Sequence, residues 1–200
     1  MFNFEEFKKN NPVIKLNVGS GKIPLQGWIN LDCMAHPTVD VVHDLNAKDG
    51  IPLPENSVDV FLISHVLEHI PNTLLVMEKL YKLAKPEAKI TIACPYAFSD
   101  ASIEDQTHIR FFVENSCCFF SQPVYCNNDY GYRGDWQIDR VVISVLKSDA
   151  GDDSDAVLKK RIKRERNLGQ NITYFGRAIK PFRPQLAELV RVPSIEIERI

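Results

Sequence analysis

Short apolar runs recur through the first half of the chain and predict a parallel β-sheet. Five of them, at residues 13–18, 28–31, 39–42, 58–63 and 89–93, have the length of a strand. The run at 58–63 is apolar at all but one position, which is typical of a strand buried on both faces. Helical patterns alternate with these runs. This alternation indicates an α/β fold with a doubly wound, Rossmann-like, mostly parallel sheet.

The clearest helical pattern lies between the fourth and fifth runs. Its apolar positions follow the spacing of a single helix face. They are Val76, Met77, Leu80, Leu83 and Ala84. Asn72 is a suitable N-cap, and Pro86 follows the expected end of the helix. The chain is therefore predicted to pass from strand to helix to strand here, which is the unit of a parallel sheet.

The second half of the chain has a less regular pattern. A short helix is predicted at residues 114–120, and strands rich in valine or isoleucine at 138–146 and 172–179. Between these two strands lies a charged insertion at 148–170, acidic at its start and basic afterwards. Residues after Pro184 give no clear signal.

Length and composition are those of an ordinary globular protein. Two hundred residues, 44% apolar and 25% charged, predict one domain over residues 1–200, with 1–12 as an N-terminal arm. The net charge of −2 gives no general attraction for nucleic acid. No apolar run approaches the roughly 20 residues that cross a bilayer, so no membrane partner is predicted.

Cysteine usage predicts a cytoplasmic protein. Five cysteines are present, an odd number, and no two have the C-x-x-C spacing. Such a set favours neither a disulfide framework nor a zinc knot. The first twelve residues also lack the basic start and long apolar core of a signal peptide.

Polar or glycine residues follow four of the predicted strands directly. They are Gly19, Ser20 and Gly21 after the first, Asp32 after the second, Asp44 after the third, and Ser64 with His65 after the fourth. Ligands of an open parallel sheet bind outside the carboxyl ends of its strands. The sequence therefore predicts a binding site at this edge.

The residue types at this edge favour a nucleoside. Glycine backbone lets a ligand approach closely because it carries no Cβ. The Asp32 carboxylate can accept two hydrogen bonds from a ribose diol, and Asp44 can receive an adenine amino group beside the backbone of Leu45. Ordinary turn and capping roles remain the alternative for each of these residues.

The segments 16–21 and 27–32 resemble the first motifs of class I S-adenosylmethionine-dependent methyltransferases. The segments 51–60 and 64–70, together with 107–112, are similar to the type 11 group of that family. The resemblance implies seven strands with one antiparallel strand near the C-terminus, and S-adenosylmethionine as cofactor. It implies that Gly19, Gly21, Asp32, Asp44 and the backbone of Ser64 and His65 surround the cofactor. We expect Asn17, Ser20 and Leu45 to complete the cofactor site.

The link between the first two strands is too short for a helix. Only residues 22–26 separate Gly21 from Gly27, whereas parallel crossovers need about a dozen residues. The glycine loop then has no helix N-terminus to offer a pyrophosphate. This favours S-adenosylmethionine, which has no phosphate, over NAD.

Histidines are the candidates for removing a proton from the methyl acceptor, because their ordinary pKa of about 6.5 suits that task. We expect His108 to serve as the base, with His69 second; a structural role is the alternative for each. His65 and His69 are four residues apart and would share one face if a helix starts at His65. The predicted acceptor is a small molecule or a sugar hydroxyl or amine.

Other functions remain open on the sequence alone. Residues 65–69 match H-x-x-E-H, a zinc protease motif, but no third ligand is marked, so no metal site is predicted. A non-catalytic partner of another methyltransferase would keep the same fold. The basic run at 159–166 suits nucleic acid or a solvated helix face paired with nearby aspartates, and we favour the latter.

Overall fold

All five apolar runs of the first half form strands in the computed structural model, which describes residues 2–200. Three further strands follow in the second half. The strands are β1 Lys15–Val18, β2 Ile29–Asp32, β3 Val41–Val42, β4 Val58–Ser64, β5 Ala84–Pro95, β6 Trp136–Val145, β7 Gly169–Ala178 and β8 Ser194–Arg199.

The eight strands form one sheet in the order β3-β2-β1-β4-β5-β7-β6-β8. Strand β7 runs antiparallel to both of its neighbours, and the other neighbouring pairs are parallel. The predicted antiparallel strand near the C-terminus is thus confirmed. The predicted number of seven strands is wrong because β8 adds an edge strand.

Strand β8 was missed because its pattern is that of a half-exposed edge. It alternates partly buried Ile195 and Ile197 with exposed charged residues, and it pairs with β6 through Val141 opposite Ile195. Charged side chains on an edge strand discourage pairing with another chain.

Helices are few and short. They are α1 Phe4–Asn10, α2 Thr73–Leu83, α3 Ala101–Glu104, α4 Lys147–Ala150 and α5 Asp155–Arg161. Turns of 3₁₀ helix lie at Leu67–His69, Ser116–Phe120, Gln122–Cys126 and Ala187–Leu189. Within residues 2–200, none of the helices is both long and apolar enough to cross a bilayer.

Helix α2 begins where the sequence predicts. Asn72 Oδ1 accepts a hydrogen bond from the Leu75 amide at 3.1 Å and caps the first turn. The helix ends at Leu83, so the expectation that Ala84 continues it is wrong. Ala84 pairs with Val58 of β4 as the first residue of β5. Pro86 favours this early end, because it disfavours helical backbone at Lys85 and helices usually end at or before the residue that precedes a proline.

The links that follow β1, β2 and β3 contain no helix in the described chain. The absence of a helix between β1 and β2 confirms the inference from the shortness of residues 22–26. The sheet therefore has the predicted doubly wound strand order, but fewer helices cover its faces than the strand number would suggest.

Side-chain hydrogen bonds tie neighbouring elements together beneath the site. Asp59 Oδ2 accepts from the Ile14 amide at 2.8 Å and from Lys85 Nζ at 2.7 Å, which ties the starts of β1, β4 and β5 together. On one sheet face, Trp136 Nε1 donates to the Met77 carbonyl of α2 at 3.0 Å. Because β1, β4 and β5 are parallel, their carboxyl ends lie together at the opposite edge of the sheet.

Candidate functional site

A cavity of about 310 Å³ opens at the carboxyl ends of β1 to β4. This is the edge at which open α/β sheets bind ligands. The predicted cofactor residues that line it are Gly19, Asp32, Asp44, Leu45 and His65. His69, one of the two predicted bases, lies in the same wall.

The glycine loop after β1 folds back onto β2. The amides of Gly19 and Ser20 donate to the Leu31 carbonyl at 2.8 and 3.0 Å. Gly19 has a φ of +69°, and a Cβ placed on it would lie 2.2 Å from Val66 Cγ2. Only glycine satisfies both conditions, so this position keeps bare backbone at the cavity wall.

Two backbone amides fix the Asp32 carboxylate. Gly21 donates to Oδ2 at 2.8 Å, and Met34 donates to Oδ1 at 2.9 Å. Each carboxylate oxygen has a second lone pair, so both can still accept a ligand hydroxyl. The arrangement suits recognition of a vicinal diol.

The loop after β3 is anchored by a buried lysine. Lys79 Nζ, from α2, donates to the carbonyl of Leu45 at 3.0 Å and to that of Ala47. Asp44 Oδ1 accepts from the Asn46 amide at 2.9 Å. The cavity wall formed by this loop is therefore held by the helix behind it.

His43 belongs to this wall although the sequence analysis did not single it out. Its ring is buried, and Nε2 has no hydrogen-bond partner within residues 2–200. Burial lowers its pKa below the ordinary value, which favours a neutral imidazole. Its position directly after β3 is the signal that would have found it.

Four predicted cofactor residues lie beside the cavity rather than in its wall. Asn17 Nδ2 donates to Asn30 Oδ1 at 3.1 Å and bridges β1 to β2. Ser20 is buried in the glycine loop, and Gly21 holds Asp32. Ser64 is exposed at the end of β4.

No helix starts at His65, so the condition for a shared His65–His69 face is not met. The His65 amide donates to the Ala93 carbonyl at 2.9 Å and so continues the β4–β5 ladder, and its φ is +54°. A 3₁₀ turn over Leu67–His69 follows. His65 and His69 therefore share no helix face, and the helix on which an H-x-x-E-H zinc protease depends is absent from this segment.

The two predicted bases, His69 and His108, meet in space. Their ring centroids are 4.7 Å apart with an interplanar angle of 62°. His69 Nδ1 lies 2.9 Å from Thr107 Oγ1, and His108 Nδ1 lies 3.2 Å from the Ser102 carbonyl oxygen. The structure thus brings an imidazole pair to one side of the cavity.

Residues 31–92 match a family model described as a methyltransferase domain. This segment contains Asp32, the loop after β3 and the turn that carries His69. No curated protein has a matching sequence.

Solved structures share the fold at low sequence identity. A S-adenosylmethionine-dependent methyltransferase from Archaeoglobus fulgidus is 16% identical with a TM-score of 0.52, over 87% of this chain and 89% of its own. The 16S rRNA methyltransferase KamB is 14% identical with a TM-score of 0.51, over 90% and 95%. The [4+2]-cyclase SpnF is 10% identical with a TM-score of 0.51, over 88% and 80%.

At such identities the likeness shows the fold, and the cyclase illustrates that one fold supports different reactions. The match of residues 31–92 to the methyltransferase family model adds evidence at the level of sequence. Together they confirm the predicted resemblance to the type 11 group of class I S-adenosylmethionine-dependent methyltransferases, over residues 31–92 and in the fold as a whole.

Proposed function

We propose that the chain methylates a hydroxyl or amine of a small molecule or sugar, with S-adenosylmethionine as methyl donor. The observation that carries this proposal is a single cavity that joins bare glycine backbone, the fixed Asp32 carboxylate and His69. The first two features suit a nucleoside, and the third suits proton transfer at the acceptor.

The residues of the cavity fit the cofactor. Gly19 presents bare backbone at the cavity wall, and Asp32 offers lone pairs to the ribose. The Asp44–Leu45 loop offers polar atoms to the adenine. When bound, the cofactor supplies an activated methyl group on a sulfonium sulfur.

The acceptor's proton is assigned to the imidazole pair. Thr107 and the Ser102 carbonyl fix the Nδ1 atoms of His69 and His108, which leaves the Nε2 atoms for chemistry. Because His69 also lines the cavity, a hydroxyl or amine beside it lies within reach of the pair.

Charge pairing supports a small acceptor over a nucleic acid. Three of the six cations of the basic run at 159–166 are matched by nearby carboxylates, which weakens the run as a phosphate-binding surface. The pairs are Arg161 with Asp153 and Glu165, Lys163 with Glu114, and Arg166 with Asp100. KamB is described as a 16S rRNA methyltransferase. The charge pattern of this chain gives no reason to propose an RNA substrate for it.

Isothermal titration calorimetry with S-adenosylmethionine and S-adenosylhomocysteine tests the proposal. We expect one binding site per chain and at least tenfold weaker binding in Asp32→Ala, because a hydrogen bond to a charged group contributes about 1.5–3 kcal/mol. Asp152→Ala removes an exposed carboxylate outside the site and is the matched control.

Asp32→Asn is a second variant that controls for misfolding of the loop in Asp32→Ala, because it keeps one of the two oxygens that accept from the backbone amides. It should also bind more weakly, since an amide cannot accept hydrogen bonds at both of its positions. Absence of binding by the unaltered protein, or undiminished affinity in both Asp32 variants, would overturn the proposal.

A further inference from the structure

Glu68, His69 and His108 form a cluster at the carboxyl ends of β4 and β5. One potential ligand atom from each lies within 4.8 Å of those of the other two. The Glu68 carbonyl accepts from the amides of Ile109 and Arg110 at 2.9 and 3.1 Å. These backbone bonds fix the His108 segment against the turn that carries Glu68 and His69.

The Glu68 carboxylate is buried and lacks hydrogen bonds. Its residue is 1% exposed, and neither oxygen has a hydrogen-bond partner in residues 2–200. Its one ion-pair partner among the described residues is the half-exposed His65, whose Nδ1 lies 3.4 Å from Oε1 and whose pKa is raised by this carboxylate. A single half-exposed histidine is a weak counterion for a buried carboxylate, and buried charges are normally paired or coordinate metals.

The hydrogen bonds of His69 fix its tautomer. Thr107 Oγ1 lies 2.6 Å from Asp105 Oδ1, and a carboxylate can only accept, so the hydroxyl donates its one proton there. The same hydroxyl then accepts from His69 Nδ1–H at 2.9 Å. The Nε2 of His69 is consequently a free lone pair.

His108 has the same arrangement. Its Nδ1 lies 3.2 Å from the Ser102 carbonyl oxygen, which can only accept, so Nδ1 carries the hydrogen. The contact of Nε2 with Asp105 Oδ2, at 3.8 Å, is too long for a hydrogen bond. Metal-binding histidines characteristically donate their other ring N–H to a carbonyl or carboxylate in this way.

We propose that Glu68, His69 and His108 bind a divalent first-row transition cation through a carboxylate oxygen and two Nε2 atoms. Two imidazoles and one carboxylate suit zinc, cobalt, manganese or iron(II) better than magnesium, and they leave coordination positions open.

The metal site adds to the proposed function. Its existence does not depend on methyl transfer, but the role given to it here rests on the proposed function. His69 lines the cofactor cavity, so an acceptor oxygen on the cation would lie beside the bound donor. Coordination lowers the pKa of a bound hydroxyl, whose proton then passes to solvent water. The imidazole pair would thereby act through the cation, and oxygen acceptors would be preferred to amines.

Titration of the chelator-treated full chain with Co²⁺ tests the site. Visible absorption of the bound ion reports its ligands, and near-ultraviolet charge transfer would report a cysteine thiolate instead. We expect one saturable site without thiolate absorption. Glu68→Gln, His69→Gln and His108→Gln should each weaken Co²⁺ binding at least about tenfold.

His65→Gln is the matched control, because the H-x-x-E-H pattern would make His65 a ligand whereas the cluster excludes it. It should retain the affinity of the unaltered protein. Thr107→Val, which removes the hydrogen-bond acceptor of His69 Nδ1–H, should weaken binding by about ten- to a hundredfold. Co²⁺ should also raise the melting temperature of the unaltered protein and of His65→Gln. This measurement does not require any of the cluster variants to fold.

Absence of saturable binding, thiolate-only binding, unchanged affinity in the cluster variants, or loss of binding in His65→Gln would each overturn the metal site. The assay requires neither S-adenosylmethionine nor turnover. A chain that binds Co²⁺ at the cluster but no cofactor would therefore refute the proposed function alone.

Discussion

Replacing Gly19 with alanine would place a methyl group where the structure leaves no room. The added Cβ would lie 2.2 Å from Val66 Cγ2, and the residue would have to keep a φ of +69°. The left-handed backbone costs an alanine about 1–2 kcal/mol. Overpacking against Val66 costs a further 1–3 kcal/mol, so the free energy of unfolding should fall by about 2–5 kcal/mol.

Two other glycines separate these contributions. Gly21 has a φ of +55°, but a Cβ there meets no atom within 4 Å in the described chain, so Gly21→Ala should cost only the backbone part, about 1–2 kcal/mol. Gly50 shows neither a left-handed φ nor a neighbour within that distance, again among residues 2–200. Gly50→Ala should be neutral or stabilise by up to about 1 kcal/mol.

Urea unfolding followed by circular dichroism at 25 °C measures the series. The order of destabilisation should be Gly19→Ala, then Gly21→Ala, then Gly50→Ala, with unchanged m-values. Adding Val66→Ala to Gly19→Ala should restore the unfolding free energy lost to the clash with Val66. A double-mutant cycle would show this as a coupling free energy between the two substitutions. Equal losses at Gly19 and Gly21, or no coupling with Val66, would refute the close packing inferred here.

Three further substitutions test the supports of the site. Lys79→Met removes the donor to the Leu45 carbonyl, so it should lower the free energy of unfolding by about 1.5–3 kcal/mol and weaken S-adenosylmethionine binding. Lys82→Met changes an exposed lysine of the same helix and should have neither effect. Equal effects of the two substitutions in calorimetry and urea unfolding would contradict this role of Lys79. Asn72→Ala removes the cap of α2 and should cost about 1 kcal/mol of unfolding free energy, and a loss below the error of the urea midpoint would count against it. Burial lowers the pKa of His43, so the unfolded chain binds this proton more tightly, and stability should fall as the pH drops below about 6.5. His43→Gln should flatten this dependence between pH 7.5 and 5.5, and an unchanged slope would argue against a buried neutral ring.

The sheet could be predicted because its signals are local. Apolar runs mark β1 to β5, and the Asn72 cap and the spacing of apolar residues mark α2. The short link between β1 and β2 also predicted correctly that no helix lies there. In contrast, β8 has an alternating, half-exposed pattern that occurs in many loops, and β5 begins earlier than its apolar run.

The site could be predicted only where it follows strand ends in order. Gly19, Asp32 and Asp44 were found in this way, and His43 could have been. The cluster around Glu68 could not, because His108 is distant in sequence and reaches Glu68 only through the backbone bonds of Ile109 and Arg110. Such a contact is set by tertiary structure rather than by residue spacing.

The turn after β4 couples the two halves of the proposed site. Val66 packs against Gly19 at the nucleoside end of the cavity, and His69 lies three residues further along the same turn. The turn is held at its start by the His65–Ala93 backbone bond and further along by the Glu68 carbonyl. We therefore expect a side chain at Gly19 that displaces Val66 also to shift His69. Methyl transfer by Gly19→Ala is accordingly expected to fall more than cofactor affinity, because transfer depends on the placement of both groups while binding depends mainly on the first.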